Sequence, residues 1–272
     1  MTYTEELKKR AEEVNNIVCM GIDPVLTRIP LEGTPEEVLT KFYIDILNAM
    51  EKEGVYPACI KPNIAFFEQY GIEGLRALKK IIDAYKEKNI PVILDAKRGD
   101  IGKTCKAYAQ AVFDYWKADA VTVHPYLGSD SILPFAEKGG VYVLVRTSNK
   151  SAVELQDLKV DNEPMFKKVA EKVVDWETGA VIGATYPEEL EILSKFFVDS
   201  GKEIPLLIPG VGAQGGSAVD VCNILKKTGN DLRLHRINSS SGINFAYEKQ
   251  GTDDYAGAAV KALKELALEA KF

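Results

Sequence analysis

The segment ILDAKRGDIGKT, residues 93–104, holds the side chains that are best suited to catalysis in this chain. Asp95, Lys97 and Asp100 follow directly on an apolar run. Because side chains alternate along a strand, Asp95 and Lys97 would share one face of it. An ammonium held beside carboxylates can stabilise developing negative charge and can donate a proton. On a surface loop the same residues would form solvated ion pairs, so their role depends on the rest of the chain.

Two more charged residues lie at the ends of apolar runs. Asp23 ends the run IVCMGID, and Lys61 lies in PACIKPN. Lys61 follows a cysteine and an isoleucine, so we expect it to be partly buried, and a buried ammonium has to be paired with an acid or lose its proton. If these elements converge, Lys61, Asp95, Lys97 and Asp100 form a network of alternating charges. Fixed charges of this kind suit electrostatic catalysis.

The glycine-rich segment PGVGAQGGS, residues 209–217, has the composition of an anion-binding loop. Glycines such as Gly212 let backbone N–H groups approach an anion near a helix N-terminus, and Gln214 can add a side-chain donor. The later segment NSSSG contributes the hydroxyls of Ser240 and Ser241. Some of these glycines are also what a tight turn with positive φ requires. We expect the two segments to bind a phosphate.

The segment RTSN contains uncharged donors and acceptors at the end of an apolar run. Thr147, Ser148 and Asn149 would suit the edge of a heterocyclic base, although hydroxyls are common where strands end. His124, in VTVHPYLGSD, is a candidate general base. A single histidine before proline at a strand end is more often a hydrogen-bonded structural residue.

Eight short runs rich in β-branched residues alternate with helical patterns, which predicts parallel strands joined by right-handed crossovers. Eight units of this kind favour a closed (β/α)₈ barrel, and the main alternative is a Rossmann-like open sheet. An open sheet should carry GxGxxG after its first strand, where this chain has GIDP. The predicted strands span residues 17–23, 57–63, 91–97, 120–125, 141–148, 180–185, 205–210 and 232–239.

A barrel gives the charged residues a common location, because catalytic groups of this fold gather at the carboxyl ends of the strands. Asp23, Lys61, Asp95 and Lys97 all lie at such ends. The longest gap between predicted strands, residues 149–179, lies over the same face, and we expect either a mobile lid or a long loop there. The first residues, MTYTEELKKRAEEV, predict an extra amphipathic helix before the barrel and lack the apolar core of a secretory signal.

Composition is that of an ordinary soluble protein. The chain has 272 residues, 46% hydrophobic and 27% charged, with a net charge of −6. These values argue against a surface for nucleic acid or for anionic membranes, and no apolar run approaches the ~20 residues of a membrane span. Without a linker or a shift in composition, we expect residues 1–272 to form a single domain, located in the cytoplasm.

Cysteine and histidine usage argues against a metal centre. The four cysteines are far apart and lie mostly in apolar segments, so we expect buried free thiols in a reducing compartment. With two histidines and no cysteine pair, a zinc site is not expected, and we predict no metal and no organic cofactor.

Taken in order, the motifs resemble those of the orotidine 5′-phosphate decarboxylase family, in particular its second sequence subgroup. The resemblance runs through nearly the whole chain and is most specific at DAKRGDI. It implies a (β/α)₈ barrel that converts orotidine 5′-monophosphate to UMP and CO₂ without a cofactor. The motifs are GIDP, IKPN, LDAKRGDIGKT, VTVHPYLGSD, VRTSN, GATYPEEL and PGVGAQGG.

The resemblance also implies roles for individual residues. Lys61, Asp95, Lys97 and Asp100 would form the catalytic charge network, with Lys97 as proton donor to C6 and Asp95 facing the substrate carboxylate. Asp100 and Thr104 would reach into the active site of a neighbouring subunit, which implies a homodimer.

Substrate contacts are implied in the same way. Asp23 resembles the ligand of the ribose hydroxyls, Ser148 the contact to the pyrimidine and Gln214 a phosphate contact. One position departs from the family, because many relatives have Ser-Arg-Gly-Ile where this chain has serine at 241. Either Arg146 or Arg236 compensates, or the phosphate relies on backbone N–H groups and Gln214.

Two other functions remain open from the sequence. Phosphosugar members of the same superfamily, such as 3-keto-L-gulonate 6-phosphate decarboxylase, keep the Asp-x-Lys-x-x-Asp pattern but use Mg²⁺, held partly by an acid where this chain has Lys61. An ammonium beside a divalent cation is electrostatically unfavourable. A non-catalytic nucleotide-binding barrel is the alternative from a different class, and the intact charged set argues against it.

Overall fold

Eight parallel strands form one sheet in the computed structural model, which describes residues 1–212 and 215–272. The hydrogen-bonded order is β2-β1-β8-β7-β6-β5-β4-β3. Parallel bridges Ile60–Val92 and Asn63–Asp95 join the two ends of this order, so the sheet closes on itself. The strands are β1 Val18–Ile22, β2 Cys59–Pro62, β3 Ile93–Arg98, β4 Ala120–Val123, β5 Gly140–Arg146, β6 Gly179–Ile182, β7 Leu206–Pro209 and β8 Arg236–Ser239.

Helices follow the strands and cover the outside of this barrel, which confirms the predicted (β/α)₈ fold and rules out the open sheet. They are α1 Tyr3–Val14, α2 Pro35–Glu53, α3 Ala65–Glu68, α4 Gly71–Glu87, α5 Gly102–Gln110, α6 Leu133–Ala136, α7 Val153–Gln156, α8 Met165–Trp176, α9 Pro187–Asp199, α10 Ala218–Lys227, α11 Ser241–Asn244, α12 Ala246–Gln250 and α13 Tyr255–Glu269. In the described part of the chain, no helix is long and apolar enough to cross a membrane.

The strands are buried on both faces, as expected for a parallel sheet covered by helices. One face packs against the helices in a large apolar core. The other face supplies a smaller cluster that includes Cys19, Cys59, Tyr142 and Leu207. All four cysteines are buried and free, as the sequence predicted.

Local sequence signals set the ends of the elements. Helix α2 begins with a capping box between Thr34 and Glu37, has Pro35 in its first turn and ends at Gly54 in the left-handed region. The eighth strand is shorter than predicted. Asp231 accepts a hydrogen bond from the N–H of Arg233 and caps a 3₁₀ turn at Leu232–Leu234, so β8 begins only at Arg236.

The long segment after β5 is folded rather than structureless. Helix α7 is followed by a two-residue hairpin, Lys159–Val160 with Glu163–Pro164, and then by α8. Asp161 and Asn162 form its turn, both with positive φ, as a tight hairpin requires. We call residues 150–165 the lid segment.

Helix α1 closes the amino-terminal end of the barrel, opposite the strand ends that carry the charged residues. Tyr3 donates a hydrogen bond to the hydroxyl of Tyr142 over 3.1 Å. The ring lies against Gly140, where a Cβ would come within 2.5 Å of Tyr3. Buried Arg236 donates to the carbonyl of Leu7 over 2.7 Å. The extra helix is therefore an integral part of the barrel.

We expect Tyr3→Ala to lower the free energy of unfolding by about 2 kcal/mol, because the ring that seals this end of the barrel is lost. Tyr3→Phe keeps the ring and loses one hydrogen bond, so about 1 kcal/mol is expected. Urea denaturation measures both, and equal losses for the two variants would show that the ring does not seal the barrel.

Candidate active site

A cavity of about 850 Å³ opens at the carboxyl ends of the strands. It collects most of the residues that the sequence singled out, although they are spread over the chain from strand one to strand eight. Those that line it are Asp23, Lys61, Asp95, Lys97, His124, Thr147, Ser148, Asn149, Ser240 and Ser241.

The centre of the cavity wall is a carboxylate held between two ammonium groups. Asp95 Oδ2 lies 2.6 Å from Nζ of Lys61, and Asp95 Oδ1 lies 2.6 Å from Nζ of Lys97. Thr122 of β4 donates its hydroxyl to the same Oδ1 over 2.8 Å. Both carboxylate oxygens of Asp95 are therefore occupied by positively charged or hydroxyl donors.

Burial and charge act in opposite directions on this network. Burial by itself would raise the pKa of Asp95, but the ammonium groups of Lys61 and Lys97 outweigh it and hold that pKa well below its ordinary range. Burial would lower the pKa of Lys61, but Asp95 and Asp23 outweigh it and raise that pKa above its ordinary value. Asp95 and Lys61 are therefore charged at neutral pH.

Lys97 is the more accessible ammonium. Its side chain is 48% exposed, whereas the Lys61 side chain is 6% exposed. The backbone of Lys97 has φ of 44°, which is uncommon for a residue with a side chain, and the register of β3 against β4 shifts between Leu94 and Arg98. The Lys97 N–H donates to the Thr122 hydroxyl over 3.0 Å. Thr122 thus fixes both the carboxylate and the backbone of the lysine.

Thr122, Asn63 and Asn238 also line the cavity and were not predicted from the sequence. A signal for Thr122 was present, because it is the polar residue within the apolar strand AVTV and it lies two residues before His124. Side chains two apart share a strand face, so both point to the same side of β4.

Asp100 and Thr104 are not among the residues that line the cavity. Asp100 is partly buried and accepts a hydrogen bond from the N–H of Ile101 over 2.8 Å. Thr104 is exposed on α5. The segment that begins with Asp95 in the cavity therefore ends at the protein surface.

In the described part of the glycine-rich loop, backbone N–H groups donate to carbonyls of the same loop. Gly212 has φ of 86° and its N–H donates to the carbonyl of Gly216, while the N–H of Gly216 donates to Gly210. Gly212 does not line the cavity, and Gln214 lies outside the described residues. The hydroxyl residues Ser240 and Ser241 do line it. Ser240 packs against Gly21, where a Cβ would come within 2.7 Å of the serine.

Neither candidate for a compensating arginine lines the cavity. Arg236 is buried and donates to the carbonyls of Leu7, Arg233 and His235. Arg146 is buried and pairs with Asp157 and Glu189. Both guanidinium groups are committed elsewhere in the structure, so the expectation that one of them replaces an arginine at position 241 is not supported.

Metal ligands are not grouped in the described part of the chain. There, no cluster of three or more histidine, cysteine, aspartate or glutamate side chains could hold an ion. At the end of β2, Lys61 is paired with Asp95, so a positive charge already lies beside this carboxylate.

Comparison with known proteins agrees with the fold. A model of the orotidine 5′-phosphate decarboxylase / HUMPS family matches residues 16–267. An orotidine 5′-phosphate decarboxylase of Halorubrum lacusprofundi is 40% identical over 281 residues, covering 98% of this chain and 97% of the relative. A relative of the same name from a Janthinobacterium species is 39% identical over 283 residues, covering 100% of this chain and 97% of the relative.

A solved structure gives the same result in three dimensions. The OMP decarboxylase of Leishmania donovani superimposes with a TM-score of 0.77 at 32% sequence identity, and the match covers 99% of each chain. Sequence and structure therefore agree that this chain belongs to the orotidine 5′-phosphate decarboxylase / HUMPS family.

Proposed function

We propose that this chain is a carboxy-lyase that converts orotidine 5′-monophosphate to UMP and CO₂ in pyrimidine biosynthesis. The observation that carries the proposal is the Lys61–Asp95–Lys97 network in the cavity of a barrel of this family. Two ammonium groups around one buried carboxylate provide fixed charges at a carbon that becomes negative. These charges come from the chain itself, so no cofactor is needed for the step.

In this proposal the bond between C6 and the carboxylate breaks, and its electron pair stays on C6 as CO₂ leaves. The ammonium of Lys97 stabilises the developing charge and then transfers a proton to C6. The resulting neutral amine regains a proton from solvent, which the 48% exposure of its side chain permits. Asp95 lies beside the substrate carboxylate, and their repulsion disappears with CO₂.

Recognition of the substrate is assigned to the remaining walls of the cavity. Asp23 has a buried carboxylate oxygen without a hydrogen-bond partner, which supports its role as acceptor for ribose hydroxyls. Ser148 would contact the pyrimidine. The phosphate would bind near Ser240 and Ser241, with Gln214 as a further contact and Gly212 in the neighbouring loop.

A homodimer with shared sites is part of the proposal. Asp100 is partly buried, Thr104 is exposed and neither lines the cavity of this chain, so a role in a second subunit would explain how they act on substrate. A metal-dependent phosphosugar decarboxylase is the alternative within the family, and the buried ammonium of Lys61 argues against it.

We expect Lys97→Ala to reduce turnover of orotidine 5′-monophosphate by at least about 10³-fold, because the proton donor is lost. The measurement is the absorbance change of the pyrimidine at neutral pH. Lys264→Ala, which removes an exposed lysine of α13, is the matched control and should keep wild-type turnover. Chelation with EDTA should also leave wild-type turnover intact.

Several outcomes of this assay would contradict the proposal. If the wild-type protein shows no turnover but binds UMP, the non-catalytic nucleotide-binding barrel becomes the favoured function. Turnover lost in EDTA would favour the metal-dependent alternative, and full turnover by Lys97→Ala would exclude this lysine as proton donor.

We expect Asp95→Asn to cost about 3–5 kcal/mol of stability, because it leaves the Lys61 ammonium buried without an anion. The folded pKa of Asp95 lies below its unfolded value of about 3.9, so its stabilisation is present above pH 4 and lost as the pH falls further. The difference in unfolding free energy between wild type and variant should therefore shrink below about pH 4. Because the pKa of Lys61 is raised, its own contribution is present up to about pH 10 and lost above.

Asp175→Asn is the control for that experiment. It breaks an exposed pair with Lys172 and should not change stability measurably. Urea denaturation between pH 2 and 10 measures these differences, and a pH-independent cost of Asp95→Asn would contradict the assigned charge states.

We expect Ser241→Arg to lower the KM for orotidine 5′-monophosphate, by up to about tenfold, or to leave it unchanged, because a guanidinium here would add charge-assisted hydrogen bonds to phosphate. Ser241→Met introduces a side chain of similar length without a charge and should not lower the KM. Steady-state kinetics at two salt concentrations measures both variants. A large rise in KM for the arginine variant alone would mean that the phosphate is bound elsewhere.

A further inference from the structure

Two consecutive residues at the end of β5 are joined to two consecutive residues of the lid segment. Arg146 pairs with Asp157, their Nη1 and Oδ1 atoms being 2.7 Å apart, and Thr147 pairs with Gln156. We call these four residues the clasp. The lid segment is thus fixed to the strand by side chains that follow one another along both partners.

The Thr147–Gln156 pair uses both polar atoms of the glutamine amide. Oε1 of Gln156 accepts the backbone N–H of Thr147 over 3.0 Å, and Nε2 donates to the Thr147 hydroxyl over 2.7 Å. That hydroxyl donates in turn to Oδ1 of Asn149 over 2.7 Å. The residues on either side of Ser148 are therefore held in one hydrogen-bonded chain that begins at Gln156.

The guanidinium of the Arg146–Asp157 pair has two aromatic rings and a second carboxylate as neighbours. The guanidinium of Arg146 is 4.4 Å from the ring centroid of Tyr186 and 5.2 Å from that of Phe166. The Nη2 atom of Arg146 is 3.3 Å from Oε1 of Glu189. Because the Arg146 side chain is only 2% exposed, Asp157 is paired with a guanidinium that is enclosed by the protein.

Ser148 is also confined by the segment that follows β6. Gly183, just after β6, faces it so closely that a Cβ there would come within 3.2 Å of Ser148 Cβ and 3.4 Å of its backbone. Ser148 is therefore in close contact with Gly183, and its two neighbours in the chain are held through Gln156.

We propose that Gln156 is a positioning residue for recognition of the pyrimidine: it holds Thr147 and Asn149 so that Ser148 faces the base. This inference rests on the proposed function and deepens it. Gln156 acts through Ser148, and Thr147 acts as the link between them. The hydroxyl of Thr147 is engaged on both sides, which fits a link better than a direct ligand of the base.

The clasp also determines where the lid segment lies. Leu155 and Leu158 flank the clasp residues, line the cavity and are 64% and 52% exposed. A planar base that enters the cavity would cover such side chains, and burial of apolar surface would favour its binding. The same hydrogen bonds that orient Ser148 therefore keep an apolar cover over the base.

The test uses Gln156→Leu, similar in size but unable to make either hydrogen bond. We expect kcat/KM for orotidine 5′-monophosphate to fall about tenfold, mainly through KM, because a loosened contact to the base weakens the ground state and the transition state alike. Affinity for UMP, measured by calorimetry, should fall by a similar factor. Gln156→Glu keeps the acceptor for the Thr147 N–H and should recover part of both losses.

Glu154→Gln is the matched control, since it changes an exposed residue of the same helix that lines no part of the cavity. It should behave as wild type. Thr147→Val removes the linking hydroxyl, and its effect should not add to that of Gln156→Leu, because both interrupt one chain of hydrogen bonds.

The possible results separate this inference from the proposed function. Wild-type protein that neither turns over the substrate nor binds UMP would overturn both. Wild-type activity with unchanged KM and UMP affinity in Gln156→Leu would overturn the inference alone. A lower melting temperature and lower kcat with unchanged KM would also overturn it, since that pattern belongs to a structural role.

Discussion

The buried carboxylate of Asp95 is the group on which the rest of the site depends. A buried charge costs several kcal/mol unless it is paired, so β2, β3 and β4 must all deliver donors to the same point. They do so with Lys61, Lys97 and Thr122. The pairing also spans the seam of the barrel, because β2 and β3 meet through isolated bridges and the Lys61–Asp95 ion pair crosses between them. The contacts that close the barrel between β2 and β3 therefore also bring the charge network together.

The two lysines of the network divide its tasks. Lys61 is enclosed, and its charge balances that of Asp95 inside the barrel. Lys97 shares the same carboxylate but leans into the open cavity, on a backbone with positive φ. A residue held in that conformation costs of order 1–3 kcal/mol, and the hydrogen bond from its N–H to Thr122 helps to maintain it. The strained backbone places the accessible ammonium of Lys97 at the cavity, while Lys61 stays buried in the barrel.

The sequence predicted the elements of this structure better than their local contacts. All eight strands, and the charged residues of the cavity lining, follow from strand periodicity and from the rule that barrel sites lie at strand ends. Polar lining residues such as Thr122 were not predicted. The start of β8 was wrong, because a side-chain cap at Asp231 competes with strand extension. The loop glycines were expected to offer N–H groups to an anion, but Gly212 and Gly216 donate within the loop. Such pairings depend on three-dimensional closure, which periodicity does not encode. The single domain, the dimer and the roles of the site residues stay predictions.

The clasp joins the two demands that a base-binding site must meet. The base has to be oriented by a polar contact, and water has to be excluded so that the charges around Asp95 act in a low dielectric. In this chain neighbouring residues of α7 serve the two requirements. Gln156 holds the residues on either side of Ser148, and Leu155 lines the cavity. Arg146 fixes the following residue, Asp157, to the barrel wall. In the proposed function, a lid segment that left the barrel would release the contact between Ser148 and the base and would admit water in the same movement, so recognition and desolvation would be a single event.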